Sequence, residues 1–186
     1  MKEPKIIRDG KGVVIGPVRL SYVHLFKPYA TEGGEAKYQT AVLIPKGEKK
    51  TVKAIKNAIE KAKEEAVTKK WGGVEPKKWN NPLCDGDEKD DETYADHFYL
   101  SAKSKTRPEI VDKHGNPITD EEEIYSGVYA CVSMTFFGFD VSGNKGIACG
   151  LNNVMKFKDG DYLGGRSSAA SDFEGFADDD GEEDDL

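Results

Sequence analysis

Aromatic and basic side chains alternate with apolar ones along three extended segments in the second half of the chain. Since successive side chains of a strand point to opposite faces, each segment presents one polar and aromatic row. These rows are His97, Tyr99, Ser101, Lys103 and Lys105 in segment 96–105; Tyr129, Cys131, Ser133, Thr135 and Phe137 in segment 125–140; and Asn152, Lys156 and Lys158 in segment 147–158. Rings stack on nucleobases and ammonium groups pair with phosphates, so this mixture suits sequence-independent binding of a single nucleic-acid strand.

We expect the rows to converge on one surface, with two groups of contact residues. The main contacts are predicted from Tyr99, Lys103, Lys105, Arg107, Tyr129 and Phe137, and the supporting ones from Tyr38, Trp79 and Lys156. Trp71, Lys77 and Lys78 could extend the surface. The alternative is that the rings only cover the ends of a barrel, with their polar tips in water.

The opposite rows of the same segments are apolar and predict a core. They comprise Phe98, Leu100 and Ala102; Val128, Ala130, Val132, Met134 and Phe136; and Ile147, Cys149, Leu151, Met155 and Phe157. Two further strands are predicted at 13–26, with a bend or bulge at Gly16-Pro17, and at 36–44. A small hairpin is expected at 109–118.

One amphipathic helix is predicted over 48–70. Its apolar residues recur at spacings of three and four and form one stripe of Val52, Ile55, Ile59, Ala62 and Ala66. Residues 72–94 read as a loop, and a loop of that length inside a compact domain is usually functional or mobile. Five strands and one helix predict a mainly β protein with a five-stranded OB-fold-like barrel, although a β-sandwich has a similar strand count.

The last fifteen residues differ from the rest of the chain. Nine of the 34 acidic residues lie in 172–186, whereas none of the 27 basic residues does. Residues 1–171 therefore carry a net charge of about +2, and we expect them to form the binding domain. The acidic segment cannot bury apolar surface and is predicted to be a disordered interaction tail. Its partner-binding residues would be Asp178, Asp179, Asp180, Glu182, Glu183, Asp184, Asp185 and Leu186.

Other chemistry finds weak support in the sequence. No catalytic motif, cofactor fingerprint or metal motif is present, and Cys84 with His97 is better explained as a structural thiol and a surface imidazole. The acids of 85–92 leave a metal-dependent nuclease as an alternative function. The chain lacks an apolar leader and an 18-residue apolar stretch, and its three widely spaced cysteines fit a reducing cytoplasm rather than a disulfide framework.

Several blocks in order along the chain resemble the phage-type single-stranded DNA-binding proteins. They are the segments at 16–22 (GPVRLSY), 37–45 (KYQTAVLIP), 107–112 (RPEIVD), 124–127 (IYSG), 146–152 (GIACGLN) and 158–166 (KDGDYLGGR), followed by the acidic tail. The resemblance implies an OB-fold that coats single-stranded DNA during replication or recombination in the bacterial host. It also implies that the tail recruits replication or recombination proteins and competes with DNA. Relatives often end in an aromatic residue, whereas this chain ends in Leu186.

Two other readings stay open at this point. A protein–protein adaptor could act through the acidic tail alone, and a homodimer is compatible with the sequence. The helix between the second and third strands also departs from the simplest barrel order, in which a helix follows the third strand.

Overall fold

The computed structural model describes residues 1–164 and 169–176. Its strands are β1 (Lys5–Ile7), β2 (Gly12–Tyr29), β3 (Lys37–Pro45), β4 (Cys84–Asp85), β5 (His97–Ser104), β6 (Glu109–Val111), β7 (Tyr129–Val141) and β8 (Asn144–Lys158). Its α-helices are α1 (Lys49–Lys69) and α2 (Ala169–Asp172). The predicted tail residues from Asp178 to Leu186 lie outside the described ranges.

Five of these strands close a barrel. Each strand pairs with the next in the order β2, β3, β5, β8 and β7, and β7 pairs with β2 again. Within this ring only the β5–β8 pair is parallel. A closed ring of pairings is not a sandwich, and the predicted five-stranded OB-fold-like barrel is confirmed.

The barrel interior contains the apolar rows that alternation predicts. Leu100 and Ala102 of β5 are fully buried, as are the inward residues Ala130, Val132, Met134 and Phe136 of β7. The bulge expected at Gly16-Pro17 is present, because Ile15 and Val18 pair with Val132 and Ala130, which lie only two residues apart.

Strand β8 departs from the predicted alternation in its second half. Met134 pairs with Leu151 while the preceding Ser133 pairs with Asn153, so Asn152 is an extra residue in β8. A bulge of this kind reverses which side chains face inward. Val154 is therefore buried, whereas Met155 and Phe157, which were predicted in the core, are only partly buried.

Helix α1 packs against the barrel with the predicted stripe. All five stripe residues are buried, and Ala54 and Ala58 widen the contact. The helix stops where Gly72 and Gly73 adopt positive φ and the Gly73 amide bonds the Val67 carbonyl. No helix in residues 1–164 and 169–176 has the length and apolar composition needed to cross a membrane.

Helix α1 approaches the barrel closely at Gly138 of β7. A Cβ atom at that position would clash with the Cβ of Ala66, so only glycine fits. This contact lets the end of α1 come down on β7 beside Phe137.

We predict that Gly138→Ala lowers the free energy of unfolding by about 1–3 kcal/mol, because the added methyl overpacks this contact. Urea denaturation measures the change. Gly47→Ala is the matched control, since its added Cβ meets nothing within 4 Å. Equal stability of the two variants would contradict the packing.

Candidate nucleic-acid interface

The outer faces of β5, β8 and β7 form one continuous surface. Lys103 of β5 is level with Gly150 of β8, which is in turn level with Thr135 of β7. One step along β7, Phe137 pairs with Ala148. Small residues on β8 therefore lie between the lysine of β5 and the ring of β7.

This surface is hollowed into a cavity of about 830 Å³, which we call the β5 groove. Its lining includes Lys37, Asn80, Pro82, Ser101, Lys103, Lys105, Phe137, Phe139, Ala148 and Gly150. The Phe137 side chain lies against Gly150, where an added Cβ would lie 3.2 Å from the ring, yet it stays 48% exposed. An exposed ring over a small-residue floor gives a base a face on which to stack.

The wall of the groove is the segment 80–85. Strands β5 and β8 pair only at Ala102 and Lys103, and beyond that point they separate. Asn80 forms a parallel bridge to Gly146 of β8, while β4 pairs with the start of β5. The long loop predicted at 72–94 therefore fills the gap between two barrel strands.

An ion-pair cluster anchors that wall. The Lys46 ammonium lies 2.7 Å from Asp85 and 2.6 Å from Asp87, and the Asp96 amide also bonds Asp87. Bonds to Lys46 lower the pKa of Asp85, and the Asp96 amide with Lys46 lowers that of Asp87; both carboxylates raise the pKa of Lys46. These acids therefore hold a loop in place.

Cations surround the groove. Lys37, Lys103 and Lys105 line it, and a neighbouring cavity of about 670 Å³ that shares Asn80 is lined by Lys77, Lys78, Trp79 and Lys145. Among the residues that the structure describes, the lining of both cavities contains no carboxylate. Glu35 lies 3.5 Å from Lys105, but both side chains are exposed, so this pair is weak. The two cavities together form a basic surface that attracts polyanions.

The described residues do not form the metal site that the acids of 85–92 or the Cys84–His97 pair could suggest. Within the described residues no three His, Cys, Asp or Glu side chains are grouped to hold a metal ion. Cys84 contacts the Pro82 carbonyl and the His97 ring contacts the Ala95 carbonyl, so each has its own backbone partner. The buried Cys149 thiol has a raised pKa because of desolvation.

The structure brings part of the predicted contact set together. Lys103, Lys105 and Phe137 line the β5 groove. Tyr99 lies two residues before Ser101, on the same face of β5, and faces an adjoining cavity. Trp79 lines the neighbouring basic cavity, with the Lys63 ammonium 5.4 Å from its ring.

Tyr129 and Lys156 lie away from this group. Tyr129 is eight residues from Phe137 on one strand, which corresponds to about 26 Å. The side-chain cations of Arg19 and Lys158 lie 5.7 and 4.9 Å from the centroid of its ring. The Lys156 side chain is 13% exposed and paired with Glu123 and Asp159, because the β8 bulge turned it inward.

Three further predicted residues have other surroundings. Tyr38 lies on the same face of β3 as the buried Thr40, and therefore on the opposite face from Lys37. Arg107 lies over the Phe26 ring at 5.0 Å. Trp71 is buried and its indole N–H donates to the Phe139 carbonyl, so it does not extend the surface.

Sequence reasoning missed Lys37, Phe139 and Lys145. Continuing the alternation of β7 by one step would have found Phe139. Lys37 and Lys145 lie at strand ends, where only the register of pairing decides which side they face.

The closed barrel places the chain among the OB-fold proteins. Its groove combines basic and aromatic side chains, as nucleic-acid-binding surfaces do. A profile of the family described as "Enterobacter phage Enc34, ssDNA-binding protein" matches residues 11–186. The chain belongs to this family of phage single-stranded DNA-binding proteins, which confirms the resemblance seen in the sequence. The family is not enzymatic, in agreement with the absence of a catalytic motif.

Individual relatives agree with this assignment. "Putative protein p50" of Acyrthosiphon pisum secondary endosymbiont phage 1 is 33% identical over 174 residues, covering 87% of this chain and 92% of the relative. The single-stranded DNA-binding protein of bacteriophage Enc34, solved in complex with ssDNA, is 28% identical with a TM-score of 0.77, covering 88% of this chain and 95% of that one. Bacteriophage T7 gp2.5, a single-stranded DNA-binding protein, shares the fold at 16% identity and a TM-score of 0.59, covering 92% and 97%.

Proposed function

We propose that this chain binds single-stranded DNA along the β5 groove without base-sequence preference. The observation that carries the proposal is the groove itself, which three lysines and the exposed ring of Phe137 line and to which no described residue contributes a carboxylate. Membership of the Enc34 family and the ssDNA complex of a 28% identical relative support it.

Two interactions contribute to the free energy of binding. The lysines replace counterions along the phosphates. For a single strand, the logarithm of the affinity therefore falls by about 0.7 per phosphate contact for each tenfold rise in salt concentration. Phe137 and Phe139 add stacking, worth about 1–3 kcal/mol per base and tolerant of sequence because every base has a π face. No bond is broken.

The biological setting follows from this activity. We assign the chain to coating and protecting single strands during phage replication or recombination, in the cytoplasm of the bacterial host. The acidic tail recruits replication or recombination proteins and competes with DNA for the basic surface. Self-association into a homodimer is compatible with this function and is not required by it.

We predict distinct effects for two groove variants in titrations with oligo-dT at several salt concentrations. Lys103→Ala should reduce the slope of log affinity against log salt by about 0.7, since one phosphate contact is lost. Phe137→Ala should weaken binding about 5- to 150-fold with an unchanged slope, because only stacking is lost.

Lys53→Ala is the matched control for charge. Lys53 is an exposed lysine in the first half of α1, so its loss changes the net charge but not the groove. Failure of the wild-type chain to bind oligo-dT at low salt would reject the function. Equal effects of Lys53→Ala and Lys103→Ala would reject the groove as its location.

Deletion of residues 172–186 should tighten binding several-fold at low salt, because a polyanion of nine carboxylates no longer competes. The difference should vanish at high salt, where screening removes the competition. The control is a full-length chain in which those acids are replaced by Asn and Gln, which should match the deletion. Unchanged or weaker affinity would rule out competition by the tail.

A further inference from the structure

A second cavity adjoins the β5 groove. It lies between β2, β3, β5 and the short 3-10 turn at Glu92–Tyr94, and it has a volume of about 390 Å³. We call it the tyrosine pocket, and its distinctive lining is Tyr22, His24, Tyr29, Lys89, Tyr94 and Tyr99. Ser101 lines both cavities, so a strand lying in the groove passes the mouth of the pocket.

Tyr22 is presented to solvent at the expense of backbone strain. Its φ is 48°, in the left-handed region, and its side chain is 61% exposed. The strain arises at a bulge, because Ser21 and His24 of β2 pair with Ala41 and Gln39, two residues apart. Such a conformation is unfavourable for a residue that has a Cβ atom, and the exposed ring gains little by burial in return. A bulge that re-aims an aromatic ring often belongs to a binding site.

The Lys89 ammonium lies among three tyrosine rings. Its ammonium lies 4.4 Å from the Tyr94 centroid, 5.0 Å from Tyr99 and 5.5 Å from Tyr22. No ion pair involving Lys89 is found within the described residues, although the neighbouring 85–92 segment is rich in acids. A positive charge is thus placed beside π faces, as needed for a base with its phosphate.

The inner wall of the pocket is formed by Tyr94, which is only 1% exposed. Within the described residues its buried hydroxyl has no hydrogen bond of good geometry, although an interaction with the Ser21 side chain partly offsets the rise that burial causes in the pKa of Tyr94. Tyr94 therefore serves the pocket through its ring, over which the Lys89 ammonium lies.

We propose that the tyrosine pocket binds one unstacked nucleobase of the single strand in the groove. The base stacks against Tyr22 and Tyr99, and Lys89 pairs with the adjoining phosphate. This inference rests on the proposed function and adds to it a discrete base site separate from the Phe137 surface.

The test compares two oligonucleotides with equal numbers of phosphates: oligo-dT and a fully abasic oligomer. Binding of each is measured at low salt for the wild-type chain and for Tyr22→Ala, Tyr22→Phe and Lys103→Ala. We expect Tyr22→Ala to weaken oligo-dT binding about 5-fold or more and to leave the abasic affinity unchanged, since only stacking is lost. Tyr22→Phe should keep most of the affinity, whereas Lys103→Ala should weaken binding of both oligomers.

The outcomes separate this site from the proposed function. If Tyr22→Ala binds oligo-dT as the wild type does while Lys103→Ala binds it more weakly, the pocket is not a base site but the groove stands. Equal weakening of both oligomers by Tyr22→Ala also overturns the proposal, because a structural defect would act regardless of bases. If the wild type binds neither oligomer, the proposed function fails together with the pocket.

Discussion

The interface depends on the short parallel contact between β5 and β8. This pairing closes the barrel but extends over only two residues of each strand. Because the strands then separate, the chain has to satisfy their free edges with another segment, and residues 80–85 do so. The inserted segment forms a wall of the groove, and the small residues of β8 form its floor.

Two groups of lysines have different physical roles. Lys46, Lys63 and Lys156 are each held by two carboxylates and fix loops or strand ends. Within the described residues, Lys37, Lys103 and Lys145 take part in no ion pair, and they lie around the groove. A nearly neutral body can therefore offer a strongly basic surface, since its acids neutralise cations elsewhere.

Much of the fold could be predicted from the sequence because alternation and helical periodicity report burial directly. The row of β7, the stripe of α1 and Leu100 and Ala102 of β5 are buried as their patterns indicate, whereas Phe98 at the start of the β5 row is only partly buried. Only part of the predicted contact set lines the β5 groove, for reasons that are local. The bulge at Asn152 reverses the second half of β8 and turns Lys156 inward, and the sequence of one strand alone does not reveal a bulge in its pairing. Tyr129 faces outward but lies at the other end of β7 from Phe137, because alternation gives direction and not distance. Lys89 and Tyr22 come together through a loop and a bulge that have no periodic signal.

Photo-crosslinking of the chain to a 5-bromouracil oligonucleotide, with the modified residues identified by mass spectrometry, tests directly whether DNA lies in the β5 groove. We expect crosslinks at Phe137, Phe139 and Tyr99, all of which face the two adjoining cavities. Crosslinks confined to Tyr129 and its surroundings, at the opposite end of β7, would show that DNA binds elsewhere.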